Sequence, residues 1–112
     1  KFLKYFQPDI TKYGGISLVH KYLNSKYRKK IFLHFLGSGV GLITSAHIMS
    51  AINSDGLLET DFNQNPLRNN IFNEKIKIIN GKIYLKNKPG LGFTLSKKII
   101  KNYTVKKFTY NS

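Results

Sequence analysis

The sequence predicts an α/β fold built on parallel strands, and three observations predict it. Short apolar runs alternate with segments of helical periodicity. That alternation implies parallel strands joined by crossover helices. Three ionisable residues, Asp9, His34 and Glu59, end or interrupt successive runs at a constant spacing of 25 residues, close to the length of one strand–helix–loop unit in a closed parallel barrel.

The first run, Tyr5-Phe6-Gln7-Pro8-Asp9, reads as a strand end, where proline is tolerated. From Gly15 onward, Ile16, Val19, Leu23 and Tyr27 recur at helical spacing. That helix is expected to end near Arg28-Lys29-Lys30, where cations suit the negative end of its dipole. Ile31 to Phe35 is a nearly continuous apolar run, the pattern of a strand covered on both faces, and His34 interrupts it. The glycine-rich turn Gly37-Ser38-Gly39-Val40-Gly41 opens a second helix with Leu42, Ala46, Met49 and Ile52 on one face. Leu57-Leu58 begins a third short strand, ended by Glu59.

The tail follows another pattern. Ile76 and Ile78, then Asn80-Gly81, then Ile83 and Leu85 form a hairpin signature with a two-residue type I′ turn. Lys88-Pro89-Gly90-Leu91-Gly92 is a loop, followed by Phe93 and Leu95 in alternation. Neither an internal repeat nor a low-complexity linker divides the chain.

At 112 residues and 41% hydrophobic, with eight Phe and seven Tyr, the chain suits one small folded domain with a modest core. It has no cysteine, which excludes disulfides, thiolate metal sites and a cysteine nucleophile. No apolar run approaches the roughly 20 residues of a membrane span, so a cytoplasmic location is the expectation. The net charge of +14 invites a nucleic-acid reading. Yet of 19 basic residues only Arg28 and Arg68 carry the guanidinium fork that base-edge readers favour, and the lysines are spread along the whole chain. A small basic nucleic-acid-binding protein therefore stands as an alternative, as does a non-functional remnant, with nucleic acid an unlikely partner.

The chain has five acids, Asp9, Asp55, Glu59, Asp61 and Glu74. At equivalent points on neighbouring parallel strands, Asp9 and His34 could form a dyad in which the carboxylate fixes the imidazole tautomer. His34 would then serve as general acid or base. Glu59, if burial kept it protonated, could donate to a substrate oxygen. Simpler readings exist for each: a satisfied core histidine, a turn-capping Asp9, a solvated Glu59. The N–H groups of Gly37 and Ser38, at the start of a helix, could hold an anionic substrate group, although tight turn packing explains at least two of the glycines equally well. His47 reads as a helix-packing residue and His20 as surface or partly buried.

Several of these segments together resemble a known family. Gln7-Pro8-Asp9-Ile10-Thr11-Lys12-Tyr13-Gly14-Gly15-Ile16 resembles the Q-P-D-x-x-x-x-G-G-I segment of the mandelate racemase and muconate lactonizing enzyme group of the enolase superfamily. The stretch from His34 to Ile52 is similar to the next strand and helix of those enzymes. Leu58-Glu59, Asn65-Pro66-Leu67-Arg68, Asn80-Gly81-Lys82-Ile83 and Pro89-Gly90-Leu91-Gly92-Phe93 follow the order of their C-terminal part. Two positions depart from the pattern: Leu33 stands where the family usually has proline, and no acid lies near Ser17-Leu18.

The resemblance implies a (β/α)₇β barrel with a capping domain, Mg²⁺ as cofactor, and abstraction of a proton alpha to a carboxylate. It implies Asp9 as the dyad aspartate, His34 as base or acid, and Glu59 as the partner of the developing enolate. It also implies an acid sugar as the carboxylate-bearing substrate, a dehydratase or racemase outcome, and a homo-oligomeric full-length enzyme. Residues 1–112 are then expected to be the C-terminal portion of the barrel domain, about three strands, two helices and a hairpin segment. The Mg²⁺ ligands and the capping domain would belong upstream of Lys1, which is not an initiator methionine. Alone, such a chain is expected to be inactive and to hold no metal.

Overall fold

The structure is a computed structural model that describes residues 4–17, 21 and 30–109. Of the first expected helix, residues 15–17 and 21 are helical. Val19, Leu23, Tyr27, His20 and the Arg28-Lys29 end lie outside the described residues.

Three extended segments lie side by side. Phe6 and Ile31 form a parallel bridge. The Phe6 N–H donates to Lys30 C=O at 3.0 Å, the Phe32 N–H to Phe6 C=O at 2.9 Å, and the His34 N–H to Pro8 C=O at 3.2 Å. The third segment joins through the Glu59 N–H, 2.9 Å from Leu33 C=O. It runs in the same direction, because Gly56 lies against Ile31 while Glu59 pairs with Leu33. The order is therefore 5–9, 31–35, 57–59. The parallel arrangement agrees with the sequence pattern, but its ladders are shorter than continuous strands. Pro8 has no N–H to give, and the third segment meets the second through the Glu59 N–H to Leu33 C=O bond among the described residues.

Ile31, Leu33 and Phe35 are buried, whereas Phe32 and His34 are only half-buried. The central segment thus alternates instead of being covered on both faces, since among the described residues only one side receives a helix. That helix, α1 (Gly39–Ile52), has 14 residues. Ile48 and Ile52 pack with Ile10, Ile31 and Leu33, and Met49 and Leu58 close the rim. Its opposite flank is buried too, with Ile43 against Ile71 and Phe72. Leu42, Ala46 and Ile52 of the expected face are buried and Met49 packs beside them. Burial extends beyond that face: α1 sits between two clusters, and a helix apolar on most sides is the kind that becomes enclosed.

The turn into α1 shows why it is rich in glycine. A Cβ on Gly41 would lie 2.4 Å from the Phe35 ring, and one on Gly37 2.9 Å from it. On Gly39 it would meet the Arg68 carbonyl oxygen at 2.7 Å. At the other end, Asn53 takes a left-handed conformation and caps the helix. The Ser54 hydroxyl then donates to Ile31 C=O at 2.7 Å and accepts from the Gly56 N–H at 3.0 Å.

The second cluster is built by the tail. A helical turn, α2 (Pro66–Asn69), starts on Asn65, whose side chain accepts from the Arg68 N–H, with proline at its first position. The hairpin strands β1 (Ile78–Ile79) and β2 (Lys82–Ile83) pair antiparallel. Asn80 and Gly81, at φ 50° and 72°, form the expected I′ turn. Residues 71–73 pair antiparallel with 94–96, through Phe72 opposite Leu95 and the Asn73 N–H on Thr94 C=O at 2.9 Å. A short helix, α3 (Lys97–Tyr103), follows, capped by Ser96 and unanticipated from periodicity. Ile76, Ile83, Leu85, Leu91, Phe93 and Ile99 complete the cluster.

Two substitutions test this packing. A Cβ on Gly56 would lie 2.0 Å from the Ile31 carbonyl oxygen, which is backbone and already bonded. Gly56→Ala is expected to lower unfolding stability by about 1–3 kcal/mol or more, read from urea denaturation; an unchanged midpoint would contradict the close approach. Ser45 is fully buried on α1, and its hydroxyl has no hydrogen-bond partner among the described residues. Ser45→Ala is expected to hold or raise stability by up to about 1 kcal/mol, because it removes an unsatisfied group and adds helix propensity.

Candidate functional site

The parallel register decides which side chains meet. Because the His34 N–H reaches Pro8 C=O and the Glu59 N–H reaches Leu33 C=O, Asp9, His34 and Glu59 fall at one end of the three segments. His34 Nδ1 lies 3.6 Å from Asp9 Oδ2, and His34 Nε2 lies 3.7 Å from Glu59 Oε2. The result is a carboxylate–imidazole–carboxylate row with the histidine between two acids. Both separations are charge-pairing distances just beyond hydrogen-bond length.

The three members differ in environment. The Asp9 side chain is 8% exposed, His34 34% and Glu59 46%. Asp9 splits its two oxygens between duties. Oδ1 accepts from the Thr11 N–H at 2.8 Å and from the Thr11 hydroxyl at 2.6 Å. Oδ2 faces His34, with Lys12 Nζ 3.4 Å away on the other side. The Asp9 carbonyl also accepts from the N–H groups of Lys12 and Tyr13. Asp9 therefore caps the turn toward Gly14-Gly15 and faces the imidazole at once. Burial is the largest single influence on its carboxyl and pushes its pKa up. The two Thr11 hydrogen bonds and the Lys12 ammonium together outweigh burial and hold it below the ordinary carboxylate value.

Glu59, by contrast, is not enclosed by the described residues, so the burial on which a proton-donating role was conditioned is not supplied by them. Gly37 and Ser38 line a cavity of about 410 Å³ with Thr11, Phe35, Val40 and Thr44. Its lining does not include Asp9, His34 or Glu59. The Ser38 hydroxyl makes no cap bond to α1. His47 lies 3.3 Å from Leu91 C=O and ties α1 to the 88–92 loop, in keeping with a packing role.

Sequence reasoning missed the residues that hold the loop after Glu59. Arg68 spreads its guanidinium over the carbonyl oxygens of Asp61 and Asn63, the latter at 2.7 Å, and over the Asn69 side chain at 3.0 Å. Asn65 donates to Gly37 C=O at 3.2 Å. The dipeptide Asn65-Pro66 was a readable start signal for the short helix that carries Arg68. Glu74 was also missed: it accepts from the Thr94 N–H at 3.0 Å and pairs with Lys86 at 3.4 Å, and that backbone bond leads the influences holding its carboxyl low.

Among the described residues, no group of three or more histidine, aspartate or glutamate side chains could hold a metal ion. The row itself does not fit one, since an imidazole separates its carboxylates and one Asp9 oxygen is committed to Thr11. No helix among the described residues is long and apolar enough to cross a membrane.

The acid–histidine–acid row thus lies across the ends of three parallel segments of an α/β arrangement. The chain belongs to the enolase C-terminal domain-like family, whose model matches residues 1–99. It is similar to the arabinonate dehydratase of Saccharolobus solfataricus, 33% identical over 102 residues, covering 89% of this chain and 27% of that protein. It is 28% identical over 101 residues to the D-galactarolactone cycloisomerase of Agrobacterium fabrum, covering 81% of this chain and 27% of that protein. With the L-talarate/galactarate dehydratase of Salmonella typhimurium it shares 32% identity over 94 residues, 82% of this chain and 21% of that protein. The chain thus spans about a quarter of the length of the curated relatives it matches.

The Asp9 environment sets a pH dependence. A carboxyl held low in the folded state contributes stability above its unfolded value, near pH 4, and loses that contribution as pH falls through the lower folded value. Asp9→Asn is expected to be less stable than the parent at neutral pH, with the gap narrowing below about pH 4. Urea denaturation from about pH 2 to 7 reads it; a gap independent of pH would show that Asp9 stabilises by shape alone.

Proposed function

We propose that residues 1–112 are the C-terminal portion of a (β/α)₇β barrel domain in an acid-sugar dehydratase of the enolase superfamily, with Asp9, His34 and Glu59 as its contribution to catalysis. The observation that carries this reading is the imidazole held between two carboxylates at the ends of parallel segments. The names of the relatives, two acid-sugar dehydratases and a lactone cycloisomerase, support the substrate class.

Asp9 beside Nδ1 keeps the ring proton on that nitrogen and leaves Nε2 as the site of proton exchange. Asp9 also stabilises the imidazolium that forms when Nε2 takes a proton. In a dehydration, the C–H bond alpha to the carboxylate and the C–O bond beta to it both break. His34 Nε2 takes the alpha proton as the C–H electron pair forms the C=C bond, then passes that proton to the departing beta hydroxide, which leaves as water. The resulting enol gains a solvent proton at the beta carbon, loses its hydroxyl proton and becomes a 2-keto-3-deoxy acid. Glu59, beside Nε2, faces the same reacting region and is placed to contact the developing enol oxygen. Mg²⁺, the cofactor that the family reading implies, finds no ligand set among the described residues. Its ligands belong, on this reading, to polypeptide beyond this chain, and the 112 residues alone are inactive.

The test is deuterium exchange at the alpha carbon of recovered substrate, and 2-keto acid formation, from arabinonate and galactarate in heavy water with Mg²⁺ supplied, using a polypeptide that carries this chain as its C-terminal part. Both signals are expected, and His34→Asn is expected to reduce them by at least about a hundredfold. Exchange untouched by His34→Asn, or no turnover of any acid sugar, would sink the assignment.

A further inference from the structure

We infer that Asn65 and Arg68 are positioning residues that hold Glu59 in register with His34, an inference that rests on the functional reading of the row. The weakness they answer is visible in the backbone. Glu59 is tied to the central segment by one N–H bond to Leu33 C=O, its side chain is 46% exposed, and the chain beyond it runs without regular structure to Asn65. A carboxylate so placed would wander by more than the few tenths of an ångström that a proton-transfer site tolerates.

Three sets of contacts restrain it. The Arg68 guanidinium bonds the carbonyl oxygens of Asp61 and Asn63, two and four residues past Glu59. Asp61 Oδ1 accepts from the Asn63 N–H at 2.9 Å, so the loop held by Arg68 is itself a closed turn. Asn65 then links this loop to the histidine strand: its Nδ2 donates to Gly37 C=O, three residues past His34, while its Oδ1 accepts from the Arg68 N–H at 3.1 Å. Gly39 completes the connection from the α1 side, because only a residue without Cβ lets the Arg68 carbonyl approach there. The loop after Glu59 and the turn after His34 are thus fastened to each other through two side chains. Lysine could not replace this arginine, since a single ammonium cannot span two carbonyls and a side-chain amide from one fixed plane.

The two roles of Asn65 can be separated. Asn65→Asp keeps the oxygen that caps α2, because aspartate caps as well as asparagine, but it removes the donor to Gly37 C=O. Arg68→Lys keeps the charge and removes the fork. The readout is the NMR chemical shift of the His34 ring nitrogens in the full chain at one fixed pH, with Asp9, Lys12 and Glu59 as the charged groups that face the ring. Glu59→Gln is expected to move the Nε2 resonance in the parent chain, because Glu59 is the carboxylate beside that nitrogen. In the Asn65→Asp and Arg68→Lys backgrounds the same substitution is expected to move it by less than half as much. The charge that Asn65→Asp adds cancels, since it is present with and without Glu59. An effect of Glu59→Gln that is equally large in both backgrounds would overturn the inference, as would no effect in the parent chain. If the coupling behaves as expected while the deuteration assay is silent, the functional reading fails and the positioning role stands.

Discussion

Four backbone hydrogen bonds set the geometry on which the rest depends. The Phe6 N–H to Lys30, Phe32 to Phe6, His34 to Pro8 and Glu59 to Leu33 contacts place three segments in one parallel phase. Strand side chains alternate with a period of two. This phase therefore sends Ile31, Leu33 and Phe35 into the core and leaves His34 on the other side, beside Asp9 and Glu59. The bonds themselves are few and, net of water, worth about 1 kcal/mol each. What holds them is the packing of Ile48 and Ile52 against Ile10, Ile31 and Leu33, each buried aliphatic side chain being worth about 1.5–3 kcal/mol. The site thus rests on apolar packing across the sheet from it.

Much of this was legible because periodicity and spacing report backbone phase directly. The 25-residue intervals from Asp9 to His34 to Glu59 appeared as adjacency in space, and Asn80-Gly81 became the turn that its dipeptide demands. Other features were not legible, each for a physical reason. The two-sided burial of α1 depends on the cluster built by Ile71, Phe72 and the tail, whose pairing of 71–73 with 94–96 is long-range. The dual duty of Asp9 depends on where Thr11 and Lys12 point. The exposure of Glu59 depends on what surrounds it, which alternation alone does not record.

The glycines at the start of α1 show how packing and site geometry share residues. Gly37 and Gly41 leave room for the Phe35 ring, and Gly39 for the Arg68 carbonyl. None of the three takes a left-handed conformation; each is small because something else must come close. The approach at Gly39 brings α2 onto α1, and through Asn65 it joins the turn after His34 to the loop after Glu59. Electrostatics then acts on an arrangement that van der Waals contact has already narrowed.

The short connection from Asn53 to Gly56 has a consequence for how this family of sequences can change length. Surface connections ordinarily accept insertions and deletions, because adding a residue to a slack loop costs little. Here Ser54 holds the Ile31 carbonyl, and Gly56 lies flush against the same group. Nothing in the connection is slack. One residue more or fewer would advance the third segment by about 3.3 Å and turn each of its side chains to the opposite side. Thr60 or Leu58 would then stand where Glu59 does, and Glu59 would point toward the helix layer. Length variation is accordingly expected to collect elsewhere, in the 86–92 loop above all, whose lengthening would leave the reading frame of the strand ends intact.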